Sequence, residues 1–378
     1  MEFDGEAGTA YYFRMQGPIF PYQGESPIMT HRPAHVRVGI VLPESRYGEE
    51  EWRNAEEAVA YADEAAEKGA QLLLYPEGYP GPMTGPLDNK KFPFDPVEEL
   101  KKKAKQHAMY IIAGNVVESK MPGAHLLTLR LFGPEGKELA CYCRQQPDTP
   151  PLNAYLYGGK AHLLPGQGPC CVETDLGRVG LQICSELWVP ELPRLLMLEG
   201  AEIIVSPIHG MHSQTGYALR DTWRCVARSR AAENLFYVLV TQNLYKVEGF
   251  DYEQSIVGGA FAAGPERMEG LRESRGVLIT DLDMERLRYL RTRNYDEENL
   301  SKPDDPNWRP IGCRPGQIFE RYPALYKKLA EPSRFAYDYE YWREGDLDAW
   351  LPEYDRLYEG DYERILKKYG GPFRFKEK

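Results

Sequence analysis

From residue 35 to about residue 293 the chain alternates short apolar runs with stretches of helical patterning. Runs at 36–41 (Val-Arg-Val-Gly-Ile-Val), 71–75 (Gln-Leu-Leu-Leu-Tyr), 110–115, 203–207, 237–241 and 276–283 have strand length and end in Gly, Pro, Asn or Asp punctuation. Between them lie an Ala/Glu-rich helical stretch at 54–68 and a helix restarting at 190–196. The run 177–184 (Gly-Arg-Val-Gly-Leu-Gln-Ile-Cys) reads as a buried strand with Cys184 at its C-terminal end, on the turn into that helix. Alternation of this kind predicts an α/β chain. By itself it also permits a doubly wound sheet.

The flanks break the pattern. Residues 1–34 are rich in Gly, Pro and aromatics without a period, which fits an extended arm or a loose tail. After 293, the segments at 294–299 and 301–306 have linker composition, and 321–330 reads as a short segment at the end of the core. Residues 331–378 are Tyr-rich with charges of both signs, and 351–358 and 362–369 pattern as short amphipathic helices. Such aromatic content argues against disorder. The expected division is an N-terminal arm at 1–34, a central domain at 35–293 and a C-terminal linker and extension at 294–378.

Composition narrows the partners. The chain has 378 residues, of which 42% are hydrophobic, enough for a sizeable core. Its net charge of −11 disfavours nucleic acid or an anionic membrane as the main partner. No apolar run approaches the roughly 18 residues of a membrane span, and the start Met-Glu-Phe-Asp-Gly-Glu lacks a signal-peptide pattern. Seven cysteines, with close pairs at Cys141/Cys143 and Cys170/Cys171, do not make a secreted disulfide framework. A reducing cytoplasm is the expected location.

Two strand ends carry chemistry. Cys184 ends one apolar run; Glu77 ends another, in the Pro/Gly turn 76–80. Open α/β sheets place their reactive groups at such ends. Each residue also has an ordinary alternative, an inert core thiol and a solvated loop carboxylate. Together they suit a thiol nucleophile with a carboxylate base, because a thiol with a free pKa of about 8.5 needs help to ionise at neutral pH.

Taken in order, these segments resemble the nitrilase superfamily, the carbon–nitrogen hydrolases. The likeness runs from 36–41 and 69–77 through 110–115, 165–166, 174–184, 200–207 and 228–234 to 258–259 and 276–283. The resemblance implies a four-layer α-β-β-α sandwich, carrying here an N-terminal arm and an aromatic-rich C-terminal extension. It implies a Glu, a Lys and a Cys in the site, with no cofactor and no metal. Glu77 matches the base and Cys184 the nucleophile, and Glu186 stands where many members carry an acid. Arg144 occupies the lysine slot, a departure from the family pattern, and only Asp148 stands where a second Glu is expected. Arg144 keeps the cation but cannot shuttle a proton. Three possibilities follow: Arg144 replaces the lysine, Lys160 swings in from the following loop, or the site is impaired. The resemblance also implies a homodimer or higher homo-oligomer, with contacts over 186–196.

His209 and His212 follow the run 203–207 and are either pocket residues or capped loop residues; a metal pair lacks a third ligand. Arg228, Arg230 and Glu233 share a helical face and fit structural ion pairs. Gln242 and Asn243 either line a pocket or close a turn. The expected function is cysteine-dependent hydrolysis of a non-peptide C–N bond in a small molecule (an amide, N-carbamoyl group or nitrile) through a thioester on Cys184, with the Ser185 N–H and Arg144 holding the developing charge. The alternatives are acyl transfer to an amine, or a silent binding scaffold.

Overall fold

The apolar and helical stretches become, in chain order, β1 (His35–Leu42), β2 (Glu44–Ser45), α1 (Arg53–Glu67), β3 (Leu72–Leu74), α2 (Pro96–Gln106), β4 (Tyr110–Glu118), β5 (Ala124–Phe132), β6 (Glu138–Cys143) and β7 (His162–Leu163). The second half continues with β8 (Cys170–Thr174), β9 (Gly177–Leu181), α3 (Glu191–Leu198), β10 (Ile203–Val205), α4 (Thr215–Asn234), β11 (Tyr237–Val240), β12 (Leu244–Tyr245), β13 (Ala260–Ala263), β14 (Met268–Arg272), β15 (Gly276–Asp283) and α5 (Met284–Thr292). The computed structural model describes residues 32–46, 50–82, 92, 94–118, 124–145, 162–163, 166, 168–210, 215–245, 256–292, 312–313 and 321–330. The expected arm at 1–34 and extension at 294–378 therefore lie almost wholly outside the described residues.

Two sheets form. One runs β15-β1-β3-β4-β5-β6, with β7 also on β5; the other runs β14-β13-β11-β10-β9-β8. Each has a parallel centre, β1-β3-β4 and β9-β10-β11, flanked by antiparallel strands. The parallel strands are linked through α1, α2, α3 and α4, the crossovers that parallel pairing requires. The two halves thus repeat one architecture, and each delivers chain from the C-terminal ends of parallel strands.

Strand alternation builds the layers. Leu72 and Leu74 enter the core between the sheets, with Val179, Leu181, Ile203, Val205 and Leu239. Leu73 points the other way, onto Ala58, Ala62 and Ala65 of α1 and Leu100 and Ala104 of α2. Ile204 and Val238 likewise meet Leu196 of α3 and Trp223, Ala227 and Ala231 of α4. Both faces of the central strands are buried, so their sequences read as continuous apolar runs. Each such side chain contributes roughly 1.5–3 kcal/mol on burial. The result is an α-β-β-α sandwich. A doubly wound single sheet is ruled out by the facing pair.

Helix ends follow local chemistry. Asp95 caps α2, accepting from Val97 N at 2.9 Å and Glu98 N at 3.2 Å, with Pro96 at the first helical position. Gly180 lets α3 lie close on β9: a Cβ there would meet Ile204 Cγ2 at 3.0 Å and Leu196 Cδ1 at 3.2 Å. Among the described residues no helix is long and apolar enough to cross a membrane.

Candidate active site

Cys184 does not end the β9 ladder as the apolar run suggests. The ladder stops at Leu181, and Cys184 opens a 3-10 turn, Cys184–Trp188, with φ +55. Its N–H is drawn to the Pro207 carbonyl at 2.9 Å, and its carbonyl accepts from Ser206 Oγ at 3.3 Å. Both partners lie just beyond β10, so the neighbouring strand end pulls the chain out of register. A left-handed backbone at a residue with a Cβ costs about 1–2 kcal/mol, and it presents the half-buried thiol at the sheet edge. The far end of the turn is held by Arg230, whose guanidinium donates to the Leu187 carbonyl at 3.0 Å and the Trp188 carbonyl at 3.3 Å. Arg230 also pairs with Glu233 at 3.0 Å, as its helical spacing predicts.

Glu77 lies in the turn after β3 and is 1% exposed. Arg144, equally buried, stands directly after β6. Its N–H donates to the Leu127 carbonyl at 3.0 Å, and its own carbonyl accepts from Gly166 N at 2.7 Å, so the main chain is fixed on both sides. Nη1 donates to Glu77 Oε1 at 3.1 Å, and Nη2 donates to Ser185 Oγ at 2.6 Å. One planar fork therefore joins the Glu77 turn to the residue next to Cys184.

Glu186 is fully buried. Its carboxylate accepts from Tyr142 OH at 2.9 and 2.8 Å, from Gln145 N at 2.7 Å and from Ile183 N at 2.7 Å. Tyr142 and Gln145 flank Arg144 closely in sequence, and Ile183 precedes Cys184. Glu186 thus clamps the end of β6 to the Cys184 turn. Burial first, then the Glu186 charge, pushes the Tyr142 phenol well above its ordinary range, which keeps it a donor to that carboxylate. Glu186→Gln replaces an acceptor oxygen with a second donor facing these donors. We expect it to lose about 1–3 kcal/mol of stability, read as a lower thermal unfolding midpoint; an unchanged midpoint would refute the clamp.

Asn243, just past β11, ties the remaining strand ends together. Nδ2 donates to the Glu77 carbonyl at 3.0 Å and the His209 carbonyl at 2.9 Å, while Oδ1 accepts from Ser45 Oγ at 2.6 Å. His209 is 2% exposed, with Nδ1 2.8 Å from the Gly210 carbonyl. A carbonyl only accepts, so Nδ1 carries the hydrogen. Gln242 closes a turn: its Oε1 accepts from the N–H groups of Val257, Gly258 and Gly259 at 2.7, 3.1 and 3.0 Å. Lys160, His212 and Asp148 lie outside the described residues. Among the described residues, no cluster of three or more His, Cys, Asp or Glu side chains could hold a metal.

Of the positions singled out in the sequence, Glu77, Arg144, Cys184, Ser185, Glu186, His209, Gln242 and Asn243 are therefore described here. Tyr142 and Asn243 complete the scaffold. Tyr142 leaves no sequence signal of its clamp, and Asn243 signals only as a polar strand end. Of the stretch expected to meet a partner, Glu186, Leu187 and Leu196 are used inside the chain. Trp188 and Leu195 stay exposed.

A sequence profile of the carbon–nitrogen hydrolase family matches residues 37–292. The chain belongs to that family and is a hydrolase of the amidase and nitrilase type. It is 30% identical over 189 residues to human omega-amidase NIT2, covering 49% of this chain and 67% of that one. Deaminated glutathione amidase of Synechocystis is 28% identical over 249 residues, 63% of this chain and 89% of the relative. N-carbamoylputrescine amidase of Arabidopsis thaliana is 26% identical over 247 residues, covering 60% and 80%. In fold, yeast Nit3 superposes with a TM-score of 0.57 at 19% identity, over 72% of this chain and 98% of that one. A variant of the Nesterenkonia amidase gives a TM-score of 0.52 at 22% identity, over 72% and 98%; that structure shows the acetamide moiety of fluoroacetamide added covalently at its active-site cysteine.

Proposed function

We propose that this protein hydrolyses the C–N bond of a small amide or N-carbamoyl compound through a thioester on Cys184. The observation that carries this is the buried fork of Arg144, which joins the Glu77 carboxylate to Ser185 beside the thiol. The relatives named as amidases support the substrate class.

The cycle follows from the residues. Glu77 takes the thiol proton, and the Cys184 sulfur attacks the carbonyl carbon. The negative charge that builds on the oxygen meets the Ser185 N–H and the Arg144 guanidinium, held in place by β6 and by the Glu186 clamp. The tetrahedral species collapses, and the departing nitrogen takes its proton from Glu77, giving ammonia or an amine. Glu77 then draws a proton from water, which opens the thioester and frees the acid. Arg144 serves by its charge and its hydrogen bonds, since a guanidinium does not give up its proton in a protein.

The test is ammonia release from ω-monoamides of dicarboxylic acids and from N-carbamoyl amines, together with intact-mass capture of an acyl adduct on Cys184. Absence of both across the panel would overturn the hydrolytic function. Added amine separates hydrolysis from acyl transfer: hydrolysis leaves the acid as sole product. Within an active reaction, Glu77→Gln keeps the size and a hydrogen-bonding group but removes the base. We expect kcat to fall about 10²–10⁴-fold. A near-normal rate would make Glu77 a structural partner of Arg144 and nothing more.

A further inference from the structure

We propose that the Ser185 hydroxyl, oriented by Arg144, is a catalytic hydrogen-bond donor to the substrate oxygen as it becomes an oxyanion, a role that rests on the hydrolytic function proposed above. Arg144 Nη2 lies 2.6 Å from Ser185 Oγ. A guanidinium has no lone pair to offer, so this bond runs only from Arg144 to Ser185. It occupies a hydroxyl lone pair and turns the O–H hydrogen away from the guanidinium. A hydroxyl that accepts from a cation is a stronger donor in turn, because linked hydrogen bonds polarise one another in a low-dielectric site.

Three features support such a role. Ser185 directly follows Cys184, so its hydroxyl and its main-chain N–H belong to the same residue beside the nucleophile. The fork behind it cannot drift: Nη1 holds Glu77 Oε1 at 3.1 Å, and the main chain of Arg144 is bonded on both sides. The adjoining Glu186 clamp fixes the turn that carries Ser185. A lysine would supply charge and donor in one ammonium. Here the two are divided, with permanent charge on Arg144 and a neutral hydroxyl donor on Ser185. The hydroxyl keeps its proton throughout; it donates a hydrogen bond and transfers nothing.

Ser185→Ala and Ser185→Thr in the full chain test this against a purely structural contact. Turnover is measured on the ω-monoamide that the wild type cleaves. In parallel, iodoacetamide alkylation of Cys184 is followed by peptide mass, since that displacement builds no oxyanion. The expected result for Ser185→Ala is a fall in kcat of about 10²–10³-fold, the usual loss for one such donor, with little change in KM and an unchanged alkylation rate at Cys184. Ser185→Thr restores much of kcat because the hydroxyl survives. Wild-type kcat in Ser185→Ala overturns the proposal. So does a parallel loss of alkylation and turnover, which would mean that Ser185 only positions the thiol. If the wild type neither alkylates at Cys184 nor cleaves any amide, the hydrolytic function itself fails, a different outcome from a fully active Ser185→Ala.

Discussion

Cys184→Ala abolishes turnover and leaves the protein folded. No other group supplies the sulfur of the thioester, and the thiol is half-buried at the sheet edge, so truncation removes little packed volume. The strained backbone at φ +55 is compatible with either side chain. The measurement is ammonia release beside a thermal melt, with every thiol accounted for. That control matters because all seven cysteines are free. A hydrogen bond from the Cys141 thiol holds the Cys143 thiol down to about 7, against the opposing effect of burial, which makes Cys143 a second candidate for alkylation. Adducts must therefore be assigned by peptide mass. Turnover near wild type in Cys184→Ala would end the assignment of the nucleophile.

Arg144→Ala has the second-largest effect, and it acts on stability and rate together. The guanidinium forms an ion pair at 3.1 Å with a Glu77 side chain that has no exposed surface. Removing one member of a buried pair typically destabilises by about 3–5 kcal/mol. Among folded molecules, kcat should fall about 10²–10³-fold as oxyanion stabilisation is lost. Arg144→Lys keeps the charge but not the planar fork, so partial activity and an intermediate melt are expected. Lys160→Ala should change little. An active Arg144→Ala paired with an inactive Lys160→Ala would show instead that Lys160 supplies the cation. Denaturant unfolding and steady-state kinetics on the same preparations separate the two effects.

The site was partly legible in the chain because some of its signals are local. Glu77 follows an apolar run and precedes Gly78 and Pro80, so a strand end in a turn could be read from a ten-residue window. Cys184 was legible for the same reason. Its backbone was not: the ladder ends three residues early because Pro207 and Ser206, more than twenty positions on, bind its main chain. Glu186 reads in sequence as one more acid near the nucleophile. Its inward direction depends on Tyr142, on β6 of the other sheet, and on the Gln145 N–H just past the end of that strand.

The sequence by itself determined the α/β class, since strand and helix periods, Gly and Pro stops and wholly apolar central strands are properties of short segments; the stacking of two sheets was decided by the tertiary structure. The sequence also determined which strand ends carry a thiol and a carboxylate. Only the tertiary structure decided which groups Arg144 meets. Its fork spans Glu77, 67 positions away, and Ser185, 41 positions away. Asn243 closes the site from 166 positions beyond Glu77. Such contacts arise because the two sheets face each other and bring separate strand ends to one edge. No local pattern encodes which polar groups meet there; that is settled by the register and stacking of strands remote in the chain.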